Sequence, residues 1–285
     1  MQNEKANQLL NEITLYLKEL ASETDKVKQS EFFRHYLDTM SRFWKYSYHN
    51  QLLIFRQMPK ATRVAGFRKW QELKRRVKKG SKSIRILAPY IKRIIEADPK
   101  TGEEKERKIT YFCPVSVFDQ SQTEGQPLPE IDICIDGDNY AEFLRHLLDF
   151  CGSRNIKVDF RNLGINDLYG YSLGGQIAIA DTKSINTQVN TLIHEVAHEI
   201  LSHKDQQIGR QEKEIQAEGV AYVVTKHFGM ENKSFNYLAL YDADYRRIME
   251  NLKAISEASR DIIEFLSCRI ISDEGNHVIN APIAA

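Results

Sequence analysis

The chain has 285 residues, 42% of them apolar and 28% charged, which is the composition of a soluble globular protein with room for two domains. No apolar run approaches the roughly 20 residues of a membrane span, and the polar start Met-Gln-Asn-Glu-Lys-Ala-Asn7 has no signal-peptide core behind it, so a cytoplasmic protein without membrane contact is expected. Net charge is only +1, yet residues 60–108 hold 17 Lys or Arg against 6 Asp or Glu, an asymmetry that points to a polyanion-binding segment in one half.

The four cysteines, Cys113, Cys134, Cys151 and Cys268, are scattered without a C-x-x-C pair. They read as reduced thiols of a cytosolic protein, not as a disulfide framework or a zinc site.

In chain order, residues 3–20 predict an amphipathic helix, with Leu9, Leu10, Ile13, Leu17 and Leu20 on one side. A second is predicted near 29–45 from Phe32, Phe33, Tyr36, Leu37, Met40 and Phe43. Trp44 to Pro59 follows, rich in aromatics and amides (Tyr46, Tyr48, Asn50, Gln51) and closed by a proline that should stop a helix. The stretch Ala65–Gly80 reads as a basic helix with Phe67, Trp70, Leu73 and Val77 inward, Arg68, Lys69, Lys74, Arg75 and Arg76 wet, and Gly80 as its C-cap. Ser83–Pro89 and Ile109–Phe118 alternate like strands, and Asp98-Pro-Lys-Thr-Gly102 supplies a turn in the hairpin between them.

Aromatic and amide groups beside a basic helix and sheet make a platform for single-stranded nucleic acid, with bases stacked on rings and phosphates met by Lys or Arg. The competing reading is plain: Trp44 and Trp70 belong to a core and the lysines are solvated surface.

Residues 42–130 also resemble the single-stranded-DNA-binding domain of ArdC-type antirestriction proteins. The matching blocks are Tyr46-Ser-Tyr-His-Asn-Gln-Leu-Leu-Ile54, Gly66-Phe-Arg-Lys-Trp70, Val77-Lys-Lys-Gly-Ser-Lys-Ser-Ile84 and Val117-Phe-Asp-Gln-Ser-Gln-Thr-Glu-Gly-Gln-Pro-Leu-Pro129. The resemblance implies single-stranded DNA as a partner and a place on a mobile genetic element. On it, Tyr46, Tyr48, Asn50, Gln51, Arg68, Lys69, Trp70, Lys78, Lys79 and Lys82 are the DNA-binding candidates.

Residues 120–137 read as an interdomain linker, dividing the chain into domains at 1–130 and 138–275. Asn139–Phe150 predicts a helix with Gly152 past its end, Ile156–Phe160 a short strand, and Leu168–Ala180 a hairpin in which Gly170, Gly174 and Gly175 allow a tight turn.

Next comes His194-Glu195-Val196-Ala197-His198, an H-E-x-x-H pattern on a helix whose apolar face is Val189, Leu192, Ile193, Val196, Ala197, Ile200 and Leu201. Residues four apart share a helix face, so both histidines can reach one ion. Zinc held this way keeps a position open for water, and Glu195 beside it can act as general base. Downstream, Glu214 and Glu218 share a face of a second apolar helix carrying Ile215, Val220, Ala221, Val223 and Val224. Either could complete the shell while the other orients a histidine; the alternative is that both are solvated acids. His203 and His227 have no matching spacing and read as structural or surface residues. Residues 234–271 predict further helices, in which Tyr241 or Tyr245 is a weak candidate for stabilising an oxyanion.

A strand directly before such a helix is similar to the arrangement in ImmA/IrrE-type zincin-like peptidases. Their second motif resembles Glu214-Ile-Gln-Ala-Glu-Gly-Val-Ala221. That resemblance implies Glu214 as the third ligand, Glu218 as its supporting acid, and a sheet edge that pairs with an extended peptide substrate. The expectation is an α+β protein in which an N-terminal single-stranded-DNA-binding domain precedes a Zn2+-dependent metallopeptidase. Two rivals remain: a DNA-coating antirestriction factor with a structural zinc, and a protease that removes a repressor or a DNA-bound protein.

Overall fold

The computed structural model describes residues 2–23, 25–97, 104–128, 139–165, 168–230 and 244–273. It is a mixed α+β chain with eight α-helices and three small sheets among the described residues. Its contacts gather into two compact units that do not simply follow the chain. One holds the segment up to Tyr16 together with His49–Leu128; the other holds Leu17–Tyr48 and the chain beyond Pro129. This differs from the division at 1–130 and 138–275, and the reason lies in the second helix.

Helices α1 (Gln2–Ala21) and α2 (Lys26–Arg42) form where the apolar spacing predicts them. α2 packs onto the C-terminal unit. Asp38 on it accepts a 2.6 Å hydrogen bond from the Tyr222 hydroxyl, and the Ser41 carbonyl lies 3.0 Å from Nδ1 of His227. His227 is therefore structural, as its spacing suggests.

In the N-terminal unit, α3 (Tyr48–Gln57) stops just before Pro59. The basic helix is shorter than expected. α4 covers only Phe67–Glu72, because Lys74 takes a left-handed φ of 56° and the chain turns into strand β2 (Arg75–Val77). Gly80, with φ of 84°, serves the turn after β2 and not a helix end. Phe67, expected inward, is 48% exposed.

β1 (Val64–Gly66) joins β3 (Ile84–Ala97) and β4 (Glu104–Asp119) in the order β1-β4-β3. The β3–β4 hairpin is much longer than its predicted pieces; its expected turn at 98–102 lies outside the described residues. The chain then makes a single 3-10 turn at Gln120–Gln122 and β5 (Thr123–Gly125), which pairs with β2. This part of the expected linker is thus built into the unit. Gly125 is required: a Cβ there would stand 2.4 Å from the Lys74 carbonyl oxygen. Buried Asp119 ties the corner together, accepting from the amides of Thr62 (2.7 Å), Arg63 (3.1 Å) and Ser121 (2.9 Å).

The C-terminal unit adds α5 (Asn139–Ser153), β6 (Lys157–Arg161), β7 (Gly170–Ser172), β8 (Gln176–Ala180), α6 (Ile185–Ile200), α7 (Arg210–His227) and α8 (Tyr245–Asp273). α5 runs past Gly152, and Asn155 takes the left-handed turn instead, with φ of 58°. The β7–β8 hairpin turns on Gly174 and Gly175, both at positive φ, whereas Gly170, expected in the turn, is paired within β7 opposite Ile179. β8, the strand before the H-E-x-x-H helix, is the central strand in the order β6-β8-β7. It is already paired on both sides, parallel to β6 and antiparallel to β7. The predicted helices after 244 are one continuous α8 of 29 residues. None of the described helices is long and apolar enough to cross a membrane.

Trp70 is fully buried, with its indole Nε1 donating to the Phe118 carbonyl at 2.9 Å. Trp70→Ala should lower the stability of the N-terminal unit by about 3–5 kcal/mol, from lost burial, a cavity and an orphaned carbonyl. Urea unfolding followed by circular dichroism checks this; an unchanged midpoint would contradict the core assignment.

Candidate metal centre

Ser184 caps α6, its hydroxyl accepting from the Thr187 amide. Val189, Leu192, Ile193, Val196 and Ala197 are buried along one side of the helix, which leaves His194 and His198 together on the side facing α7. Their Nε2 atoms lie 3.1 Å apart. Glu214 on α7 brings a carboxylate oxygen to 3.5 Å from His194 Nε2 and 3.6 Å from His198 Nε2. One ligand atom from each of the three lies within 4.8 Å of the others, a grouping that could hold a metal ion. Two imidazoles and one carboxylate, with no fourth side chain among the described residues of the group, suit a divalent ion that keeps a position open.

The electrostatics favour a cation. The imidazoles of His194 and then His198 hold the Glu214 carboxyl well below the ordinary carboxylate range. Burial works against a charged His194, but Glu214, Glu218 and Glu195 outweigh it and raise its affinity for a proton. Glu195 is only 8% exposed, and burial is the main cause that moves its carboxyl up from the usual range, against the pull of His194 and His198. Glu218 is raised chiefly by burial too, and its carboxylate lies 3.5 Å from Nδ1 of His194, on the far side of that ring from Glu214.

The structure thus brings His194, Glu195, His198, Glu214 and Glu218 together. It also adds one residue that spacing alone did not flag. His203, expected to be structural or at the surface, is 3% exposed and places Nδ1 2.8 Å from Nδ1 of His198. The C-terminal turn of α6 puts it there. Ser202 adopts a left-handed φ of 52°, its amide bonds the Glu199 carbonyl at 2.9 Å, and the His203 amide bonds the His198 carbonyl at 3.0 Å. That is a Schellman closure, which sets the side chain two positions past the helix end against the one three positions inside it. The sequence signal was the five-residue interval between His198 and His203, meaningful only once the helix end is known.

Glu199 anchors the neighbouring hairpin by accepting from the amides of Gly174 (2.8 Å) and Gly175 (2.6 Å). Tyr245 has its hydroxyl engaged by Arg246 at 3.2 Å; Tyr241 lies outside the described residues.

The DNA-binding candidates separate. Arg68, Lys78, Lys79 and Lys82 are exposed, and Lys69 is half-buried and pairs with Glu72 at 3.1 Å. Trp70, Asn50 and Gln51 are buried. Asn50 is used inside the unit, its amide exchanging two 2.8 Å hydrogen bonds with the Leu87 backbone. Expected as DNA-binding residues, Trp70 and Asn50 are instead framework residues, for Trp70 the core alternative, and Gln51 is only 1% exposed. Tyr46 and Tyr48 are half-buried and belong to the other unit, where their carbonyls accept from Arg260 and Tyr36. What the sequence reading missed is the outer part of the β3–β4 hairpin. Tyr90 (55% exposed) stands opposite Tyr111, Phe112 (51%) opposite Pro89, and Lys92, Arg93 and Lys108 are exposed around them.

Comparisons with known proteins match two separate regions of the chain. Residues 3–118 match the N-terminal domain of anti-restriction factor ArdC, and residues 151–264 match the IrrE N-terminal-like domain of the M78 peptidases. An uncharacterized protein of Bacillus anthracis is 27% identical over 274 residues, covering 80% of this chain and 46% of that one, so the chain spans about half the length of this relative. Among solved structures, the metal-free antirestriction protein ArdC from the R388 plasmid aligns with a TM-score of 0.48 at 21% identity, over 78% of this chain and 86% of that one. Its Mn(II)-bound form aligns with a TM-score of 0.46 at 18% identity, over 81% and 98%. The two matched regions are thus similar to two different families, the first to the N-terminal domain of ArdC and the second to an IrrE N-terminal-like domain.

Proposed function

We propose that the chain is a cytoplasmic zinc-dependent metallopeptidase joined to a single-stranded-DNA-binding domain, and that it acts as an antirestriction protein of a mobile genetic element. The observation that carries the enzymatic half is the convergence of His194, His198 and Glu214 with Glu195 buried beside them. His194, His198 and Glu214 would hold Zn2+, which when bound polarises a peptide carbonyl and makes a neighbouring water acidic. Glu195, desolvated and with its carboxyl raised above the ordinary range, would take the proton of the attacking water and return it to the leaving amine. Glu218, 3.5 Å from Nδ1 of His194, would hold that ring's proton on Nδ1 and leave Nε2 for the ion.

The substrate geometry follows from the sheet. β8 has no free edge along its paired residues, so an extended peptide adds instead to β7, the strand that lies against α6. At Gly170 a Cβ would stand 2.7 Å from Thr191 Cγ2, which fixes how closely this edge approaches the H-E-x-x-H helix.

Single-stranded DNA binding is supported by the exposed cations Arg68, Lys78, Lys79 and Lys82 and by the aromatic residues of the hairpin. Bases stack on Tyr90, Tyr111 and Phe112 while Lys92, Arg93 and Lys108 meet phosphates. These exposed surfaces also favour the second reading, a DNA-coating factor whose metal serves the fold.

Glu195→Gln should retain one metal ion per chain while cleavage of a casein or fluorogenic peptide probe falls by about 10²–10⁴-fold. Metal analysis and cleavage assays read the two effects; wild-type cleavage by the variant would sink the peptidase mechanism. Full antirestriction activity in the same variant would favour the coating role, and cleavage stimulated by single-stranded DNA would point to a DNA-bound protein as substrate.

Reversing the charge of Lys78, Lys79 and Lys82 should weaken binding of an oligothymidylate and flatten its salt dependence by about 0.7 in log–log slope for each phosphate no longer neutralised. Tyr90→Ala or Phe112→Ala should cost about 1–3 kcal/mol per stacked base with the slope unchanged. Fluorescence anisotropy across a salt series separates the two; wild-type affinity in both sets would remove these surfaces from the DNA interface.

A further inference from the structure

Behind the two histidines runs a line of buried polar side chains that the mechanism above does not use. His198 Nδ1 lies 2.8 Å from His203 Nδ1, and His203 Nε2 lies 2.8 Å from Gln216 Oε1. Gln216 Nε2 donates to Asn251 Oδ1 at 2.8 Å, and Asn251 Nδ2 donates to Glu212 Oε1 at 2.6 Å. Glu212 then receives Arg247 through Nε at 2.9 Å and Nη2 at 2.6 Å. His203, Gln216, Asn251 and Glu212 are all buried, so an unmatched donor or acceptor anywhere along the line would be costly.

Every proton in this line has a forced direction, starting from its charged end. Glu212 paired with Arg247 is a carboxylate and only accepts. The Asn251 atom facing it, which also faces the Arg247 carbonyl at 2.7 Å, must therefore be the amide nitrogen. Asn251 then turns its oxygen to Gln216, which must answer with its own nitrogen, leaving the Gln216 oxygen for His203. His203 donates from Nε2, so in its neutral form Nδ1 is bare and accepts. His198 must carry its proton on Nδ1, and its Nε2 keeps a lone pair aimed at His194 and Glu214.

We propose that Glu212, Asn251, Gln216 and His203, anchored at the exposed end by Arg247, form a relay that fixes the neutral tautomer of His198, presenting Nε2 unprotonated to a metal ion. The proposal rests on the metal reading of the site. These five are positioning residues: only His203 touches a ligand, and the relay reaches α8, a helix that contributes no ligand to the site.

The test uses the full chain, labelled with 15N-histidine and freed of metal. Wild-type protein should show His198 protonated on Nδ1 and His203 on Nε2. Gln216→Met, close in volume but without an acceptor, lets His203 move its proton to Nδ1 and drives His198 to the opposite tautomer. Zn2+ affinity, read by chelator competition, should fall by about 10–100-fold. Gln216→Glu keeps an acceptor toward His203, so it should keep the wild-type tautomer and near wild-type affinity, at some cost in stability. A wild-type His198 protonated on Nε2, or undiminished Zn2+ affinity in folded Gln216→Met, overturns the proposal. If Gln216→Met fails to fold, the wild-type tautomer and the Gln216→Glu affinity still decide. A wild-type chain with the expected tautomer but no affinity for Zn2+ refutes the metal reading instead, and with it the purpose assigned to the relay.

Discussion

The constraint on which the C-terminal unit depends is that α6 must bury one face completely while keeping imidazoles and carboxylates satisfied on the other. Val189, Leu192, Ile193, Val196 and Ala197 take the helix into the core, and that same burial strips water from Glu195 and His198. Desolvated polar groups are tolerated only when paired, so α7 must come alongside with Glu214, Glu218 and Gln216 in register. Once α7 is so placed, its own partners on α8 follow: Glu212 to Arg247 and Gln216 to Asn251. At Gly219 a Cβ would stand 2.6 Å from Ile255 Cδ1, which marks how near α7 and α8 come.

The site was largely legible in the sequence because its information is local. His194 and His198 sit one turn apart on a helix with a strong apolar stripe, and four-residue spacing needs no tertiary knowledge to interpret. Glu214 was separable from Glu218 only through resemblance, since two acids on one helix face look alike until the imidazoles are in place. The relay was not legible. Gln216 meets Asn251 across 35 positions, and no periodicity joins an amide to another amide that far along the chain. The contact of His203 with His198 was not legible for a related reason: it is set by the left-handed Ser202, a residue type that does not announce a helix end.

The N-terminal unit was read less well, and composition is why. Aromatic and amide residues serve a nucleic-acid face and a packed core equally, and only coordinates separate exposed Tyr90 from buried Trp70. A run of cations likewise carried no mark of where α4 ends. Lys74, Arg75 and Arg76 look like a continuation of the helix, yet pairing of Arg75–Val77 with Thr123–Gly125 prevails over helix propensity. The sequence partner of that strand lay in a segment rich in Gln, Gly and Pro, which reads as linker when taken alone.

Five glutamates within 24 residues of α6 and α7 have different roles, and environment alone assigns them. Glu195 is buried beside the histidine pair, so desolvation raises it; a carboxyl poised that way can exchange a proton. Glu199, one turn on, finds two glycine amides and becomes an anchor for the hairpin. Glu212 finds a guanidinium and an amide, which overcome its burial and hold it ionised. Glu214 and Glu218 approach opposite sides of one imidazole, and the imidazoles lower the first while burial raises the second. Moving any one of them to a neighbouring position would keep composition and charge unchanged, yet it would leave a guanidinium, an imidazole or a pair of backbone amides without its acceptor. The chemistry available to the site is therefore written less in which acids the chain carries than in which donors each of them meets.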